Sequence, residues 1–143
     1  SYTHAGAPMK CHGHPGLNGL HSAVQYSCNP YYYHVFRKVI NENEGTTPFK
    51  KAAIGLKKWG DYVSRFGIGQ KLGVDLPYEA KGKLPDVEYY NKVYKGELTW
   101  KFSNIYSLSI GEGELLISPI KMANVAAIIA NRGWYITPHV VRA

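Results

Sequence analysis

The stretch from Thr47 to Gly67 constrains the fold more than any other part of the chain. Phe49, Ala52, Ala53, Leu56, Trp59, Val63 and Phe66 recur at the spacing of one helix face. Thr47 is a good N-cap, Pro48 suits a first turn that needs no N–H there, and Gly67 supplies a stop. Lys50, Lys51, Lys57 and Lys58 fall off the apolar stripe and read as a solvated face. A helix with one broad apolar face must pack against something. The chain is therefore a packed globule, and its 45% hydrophobic and 13% aromatic residues supply a core. Its 143 residues are one domain by length, and such a domain buries roughly two-thirds of its unfolded surface. No run of 18 apolar residues is present. Ser1-Tyr2-Thr3-His4 lacks the charged, apolar and small-residue series of a signal peptide.

The rest of the chain is organised around that helix. Residues 1–16 are rich in Gly, Pro and His and are expected to be loop. A first helix is expected over 17–27, with Leu17, Leu20, His21, Val24 and Cys28 on its inner face. A second opens at Pro30, buries Tyr32, Phe36, Val39 and Ile40, and ends within Asn41 to Gly45. At least one ring of Tyr31-Tyr32-Tyr33 belongs in the core. Residues 68–117 form a long ordered loop region. Its Gly and Pro density in 67–86 is loop-like, but Ile68, Leu72, Val74, Leu76 and Leu84 are too apolar for a linker. Residues 87–103 show no clean period, and Asn104 to Ile110 alternates as a short strand would. Ser118-Pro119 opens a helix to Ala130 that is apolar on nearly every side, so it is expected to be central and buried. Residues 134–141 read as a strand or an extended tail. The fold class is α+β, mainly α, with one or two short strands.

The formal charge of +7 and pI near 9.4 favour anionic partners: nucleic acid, acidic lipid, or cell-wall polymer. The basic residues are dispersed, and no nucleic-acid motif accompanies the 12 tyrosines. We expect no nucleic-acid partner. Cys11 and Cys28 allow one disulfide at most. Cys11, His12 and His14 do not match a structural-zinc spacing, so no metal site is expected; Cys11 and His14 would be the first ligands to consider.

Ser27-Cys28-Asn29 carries the chemistry. By local rules alone, Asn29 before Pro30 is an N-cap and Ser27 ends the preceding helix. Three other segments change the balance. They are Phe66-Gly-Ile-Gly-Gln-Lys-Leu-Gly-Val-Asp-Leu-Pro77, then Ser109-Ile-Gly-Glu-Gly113 with Ser118-Pro-Ile-Lys-Met-Ala123, then Ile129-Ala-Asn-Arg-Gly-Trp134 with Pro138-His139. With the S-x-N segment at Ser27, these four in order resemble class B penicillin-binding proteins, most closely the elongation-type group called penicillin-binding protein 2. Glu112 stands where that family usually has Gln, and Ser118 where it usually has Thr.

The resemblance implies the helical lobe of a penicillin-binding transpeptidase (beta-lactamase-like) fold. It implies acyl transfer through a serine acyl-enzyme at the D-alanyl-D-alanine end of peptidoglycan stem peptides, and acylation by beta-lactams. Ser27 and Asn29 would be active-site residues: Ser27 a proton relay, Asn29 a holder of the substrate amide and of the family lysine. No cofactor is implied. Implied partners are stem peptides, beta-lactams and elongation-complex membrane proteins. The implied location is the periplasmic face of the inner membrane, with an N-terminal membrane helix outside these residues. The S-x-x-K nucleophile that the family places before S-x-N, and the K-T-G placed after Pro138-His139, are not among these residues. The chain by itself is therefore expected to be inactive. Ser118-Pro119-Ile120-Lys121 fits S-x-x-K formally, but it follows S-x-N, and Ser-Pro is a common helix start. The alternative is a non-catalytic basic module that binds cell-wall polymer or nucleic acid.

Overall fold

The computed structural model describes residues 2–4, 7–9, 11, 13, 16 and 19–141. In chain order it contains strands β1 (Tyr2–His4) and β2 (Ala7–Met9), then helices α1 (Leu20–Gln25), α2 (Asn29–Asn41) and α3 (Pro48–Ser64). Helices α4 (Val87–Val93) and α5 (Phe102–Ile105), a 3₁₀ turn (Tyr106–Ile110) and helix α6 (Pro119–Ala130) follow. The chain forms two compact units. One comprises Ser1–Leu56 with Val87–Gly113, the other Lys57–Asp86 with Glu114–Ala143. Among the described residues no helix is long and apolar enough to cross a membrane.

The first unit is built on aromatic packing. On α2 the buried side is Pro30, Tyr33, Phe36 and Ile40. Tyr33 is thus the core ring of the tyrosine triplet, while Tyr32 and Val39, both expected inside, are half-buried and exposed. The Tyr33 ring meets Phe102 edge-on at 5.2 Å and Tyr106 at 6.1 Å. Tilted edge contacts of this kind suit the ring quadrupoles. Residues 104–110, expected to be a strand, are instead the end of α5 and the 3₁₀ turn. The reason is a period of three: Phe102, Ile105 and Leu108 eclipse on one side, and the last two are buried. The Lys101 N–H donates to Asn104 Oδ1 at 2.9 Å, which holds the start of that turn. Helix α4 was not legible in the sequence. It buries Tyr90 completely against Trp100, whose indole N–H donates to Asn91 Oδ1 at 2.8 Å.

Asn43 brackets α2 to α3. Its Nδ2 donates to the carbonyls of Ile40 (2.9 Å) and Lys51 (3.0 Å), and its Oδ1 accepts from Gly45 N–H at 2.9 Å. Helix α3 starts as the sequence predicts, with Thr47 Oγ1 accepting from Lys50 N–H at 3.2 Å. It buries Ala52, Gly55 and Leu56. Gly55 lies against the Ile40 backbone, and a Cβ there would fall on the Ile40 carbonyl.

Two expectations about this unit are corrected. Residues 1–16 are not wholly loop. Strands β1 and β2 pair antiparallel, with Thr3 opposite Pro8. Of the described residues on the predicted face of helix α1, Cys28 is buried as expected and His21 is exposed. Leu20 and Val24 are exposed too, Ala23 is buried, and Leu17 lies outside the described residues. Periodicity marked an apolar side, but a six-residue helix is oriented by its end, where Cys28 is drawn in.

The second unit depends on a buried ion pair. Lys121 on α6 has a fully buried side chain, and its Nζ lies 3.2 Å from Glu79 Oε1 and 2.9 Å from the Ala80 carbonyl. Glu79 accepts three backbone N–H groups: Leu72 at 2.6 Å, Gly73 at 3.0 Å and Val74 at 3.2 Å. The Leu72 N–H foremost, with Gly73, the Lys121 ammonium and Val74, holds the Glu79 carboxyl down at about 2 against the opposing effect of burial. Ile68, Leu72 and Val74 are buried around this knot. Lys83 and Leu116 form an isolated antiparallel bridge. Gly82 (φ 69°) is needed there, because a Cβ would fall on the Leu116 carbonyl.

Helix α6 is not the buried rod that its composition predicts. Its buried stripe is Lys121, Asn124 and Ile128, while Met122 and Ile129 are 54% and 68% exposed. The stripe that is buried is thus the polar one, with Lys121 paired to Glu79. Residues 134–141 contain no strand. They are irregular and tied down by Asp75, whose Oδ1 accepts from Val140 N–H (2.7 Å) and Oδ2 from Val141 N–H (2.9 Å).

Two outcomes are expected from this knot. Lys121→Met leaves the Glu79 carboxylate without its cation and lowers stability, read as a fall in the urea denaturation midpoint. Glu79 is depressed on folding from 4.5 to about 2. Its stabilisation is therefore complete above pH 4.5 and is lost as pH falls towards 2. A plot of unfolding midpoint against pH should drop across that interval and be visibly flatter for Glu79→Gln; equal slopes would refute the assignment.

Candidate active site

Ser27 and Asn29 lie at the junction of α1 and α2, on either side of buried Cys28. The junction is a Schellman cap. Cys28 N–H donates to the Ala23 carbonyl at 3.0 Å, and Ser27 N–H donates to the Val24 carbonyl at 3.2 Å. This geometry requires a left-handed residue at position 27, and Ser27 adopts φ 48°. Glycine is the usual occupant, because a Cβ crowds the following carbonyl there. The Ser27 side chain is exposed and Asn29 is half-buried. Among the described residues neither side chain has a hydrogen-bond partner.

The local capping expectation is corrected at Asn29. The N-cap of α2 is Cys28, with extended backbone (φ −79°, ψ 97°), and no side chain caps the helix. Asn29 and Pro30 are its first two residues, so the Asn29 carboxamide is not used in capping. Pro30 at the second position still removes one of the donors that would otherwise be orphaned. The turn thus presents a hydroxyl and a carboxamide two residues apart, with the thiol between them buried at 3% exposure. A hydroxyl can donate and accept at once, and a carboxamide offers both functions on separate atoms. Such a pair can relay a proton and hold an amide.

Ser118 and Lys121 do not form a nucleophile pair. Ser118 is the N-cap of α6 and Pro119 follows, as the sequence predicts, but the Ser118 hydroxyl does not cap the helix and is buried without a partner. Lys121 is committed to Glu79 and Ala80, so its ammonium is not available as a base. Cys11 is exposed, Cys28 is buried, and both are free thiols. His14 lies outside the described residues, and among those described no cluster of three His, Cys, Asp or Glu could hold a metal.

The sequence reading missed Glu79 and Asp75 as organisers of the loops. A signal existed. Both acids sit in the Gly- and Pro-rich stretch, which has many free backbone N–H groups and no regular structure to satisfy them.

A mainly helical assembly carrying an S-x-N turn is the helical part of a penicillin-binding transpeptidase fold. The profile of the penicillin-binding protein transpeptidase domain matches residues 2–143, and the chain belongs to that family. It is 34% identical over 131 residues to the peptidoglycan D,D-transpeptidase MrdA of Acinetobacter baumannii, covering 92% of this chain and 17% of that protein. It is 30% identical over 125 residues to the penicillin-binding protein PbpB of Mycobacterium tuberculosis, covering 87% of this chain and 16% of that one. The crystal structure of Pseudomonas aeruginosa PBP2 in complex with WCK 5153 superposes with a TM-score of 0.63 at 30% identity, covering 82% of this chain and 23% of that chain. These relatives group the chain with the class B proteins of the penicillin-binding protein 2 type. It spans about one-sixth of the length of the curated relatives it matches.

The left-handed serine yields a direct test. Ser27→Gly removes roughly 1 kcal/mol of backbone crowding, partly offset by the greater freedom of glycine in the unfolded chain. The expected result is a net gain of about 0.5 kcal/mol, a rise in Tm of roughly 2 °C. Ser27→Ala keeps the Cβ and should show no such gain.

Proposed function

We propose that this chain is part of a peptidoglycan D,D-transpeptidase that cross-links stem peptides through a serine acyl-enzyme and is acylated by beta-lactams. The observation that carries the reading is the Ser27–Asn29 turn within a family match spanning residues 2–143. The serine is exposed in a conformation that glycine would adopt with less strain, and strain at an exposed polar residue is common where its side chain is used.

The proposed division of labour is simple. A serine of an S-x-x-K element attacks the carbonyl of the penultimate D-alanine, and its paired lysine takes the hydroxyl proton. Ser27 passes that proton to the departing D-alanine amine. Asn29 donates from its Nδ2 to a carbonyl of the substrate backbone, and its Oδ1 accepts from the family lysine. An amine from a second stem then takes the acyl group and frees the serine. The oxyanion of each tetrahedral intermediate is met by backbone N–H groups at the nucleophile and the K-T-G strand. This chain supplies only the S-x-N element, and on its own it should not turn over. Loss of the nucleophile of a serine enzyme costs on the order of a millionfold in rate.

The same reading gives a periplasmic setting, a membrane anchor outside these residues, and elongation-complex proteins as partners.

The test is acylation by a fluorescent penicillin in the longer protein that contains both S-x-x-K and K-T-G. Ser27→Ala should slow acylation about a hundredfold or more, the size of a general acid–base contribution. Asn29→Ala should slow it roughly tenfold to a hundredfold, the loss of a charge-assisted or substrate hydrogen bond. The isolated chain should remain unlabelled. Wild-type rates in both variants would sink the proposal.

A further inference from the structure

A cleft of about 450 Å³ lies in the second unit, between the ends of α3 and α6. It shares no residue with the Ser27–Asn29 turn. Its floor is apolar: half-buried Phe66, buried Ile128 and exposed Ile129. Two exposed arginines, Arg65 and Arg132, also line it. Arg65 is steadied over the Tyr62 ring, 5.0 Å from the centroid. No carboxylate lines the cleft, and among the described residues neither arginine has an ion-pair partner.

The arginines are not needed to cap the two helices. At the end of α3 the carbonyls of Tyr62, Val63 and Ser64 accept the N–H groups of Arg65, Phe66 and Gly67. At the end of α6 the carbonyls of Ile128 and Ile129 accept those of Gly133 and Arg132. With these helix-end carbonyls satisfied by backbone, the two exposed arginines that line the cleft keep donor capacity to spare. A guanidinium fork matches carboxylate and phosphate oxygens two at a time. The volume is that of an ordinary small-ligand site, and an apolar floor with a few polar groups is its usual composition.

We propose that this cleft binds a small anionic amphiphile: a phosphate or carboxylate gripped by Arg65 and Arg132, on an apolar body lying over Phe66, Ile128 and Ile129. Both parts of the ligand are required, because exposed arginines alone hold a free anion weakly and a shallow apolar floor alone holds a hydrocarbon weakly.

The experiment is a titration of the amide NMR spectrum of the 143-residue chain with three probes: n-octyl phosphate, inorganic phosphate and n-octanol. Octyl phosphate should bind roughly tenfold tighter than either half, with shifts confined to the cleft residues and weakening as salt rises. Arg65→Gln and Arg132→Gly should each weaken it roughly tenfold, the value of one charge-assisted contact. Arg132 has φ 61°, so glycine fits its backbone and the fold should be kept. Octanol binding as tightly as octyl phosphate, shifts mapping elsewhere, or unchanged affinity in Arg132→Gly would overturn the proposal. The probe comparison needs no variant, so it decides even if one fails to fold. A vesicle arm fixes the source. Arginine-dependent sedimentation with phosphatidylcholine vesicles carrying phosphatidylglycerol assigns a bilayer headgroup. Octyl phosphate binding without sedimentation assigns a free amphiphile.

Discussion

The second unit depends on one carboxylate. Glu79 stands in for the hydrogen bonds that the loop before it cannot make with itself. Residues 72–74 belong to no helix or strand, so their N–H groups need acceptors from elsewhere. A single carboxylate with two oxygens serves all three, and its charge in turn makes a buried lysine tolerable. Loop conformation and the burial of Lys121 on α6 thus rest on one interaction. Asp75 repeats the device on a smaller scale. Its two oxygens accept Val140 and Val141 N–H, and those bonds, Val140 first, hold its carboxyl below the usual range.

The helix ends follow a second rule. Three Schellman caps place a side-chain-bearing residue where glycine is usual: Ser27 after α1, Lys95 after α4 and Arg132 after α6. Each accepts some backbone crowding at a positive φ. At Ser27 the result is an exposed hydroxyl immediately before a buried thiol. At Arg132 it is an exposed arginine that lines an apolar cleft. The cap geometry is common to all three, and the chemistry is set by which residue fills the left-handed position.

The helices that were legible in the sequence carried local signals strong enough to survive any context. Helix α3 has a hydroxyl cap, an early proline and a long apolar stripe, and α2 has Pro30 and its aromatic row. Helix α4 was hidden because Tyr, Glu, Asn and Lys suit several backbones, and its burial of Tyr90 depends on Trp100, ten residues on. The strand expected at 104–110 failed because a period of two and a period of three share positions over so short a span. Of the candidate site, Ser27 and Asn29 were singled out by their motif, but the local rule that made Asn29 a cap was wrong. The buried Cys28 takes the N-cap position instead.

The sequence by itself determined the family and the principal helices and singled out Ser27 and Asn29 as candidates, since these rest on residue order and on period over one or two turns. Tertiary structure alone decided which faces are buried. Apolar periodicity on α6 pointed inward on every side, yet the burial of Lys121 requires Glu79, which lies 42 residues earlier in the chain. An isolated buried ammonium is far more costly than an exposed isoleucine, so the burial of Lys121 rests on the ion pair. No local pattern on α6 encodes that partner.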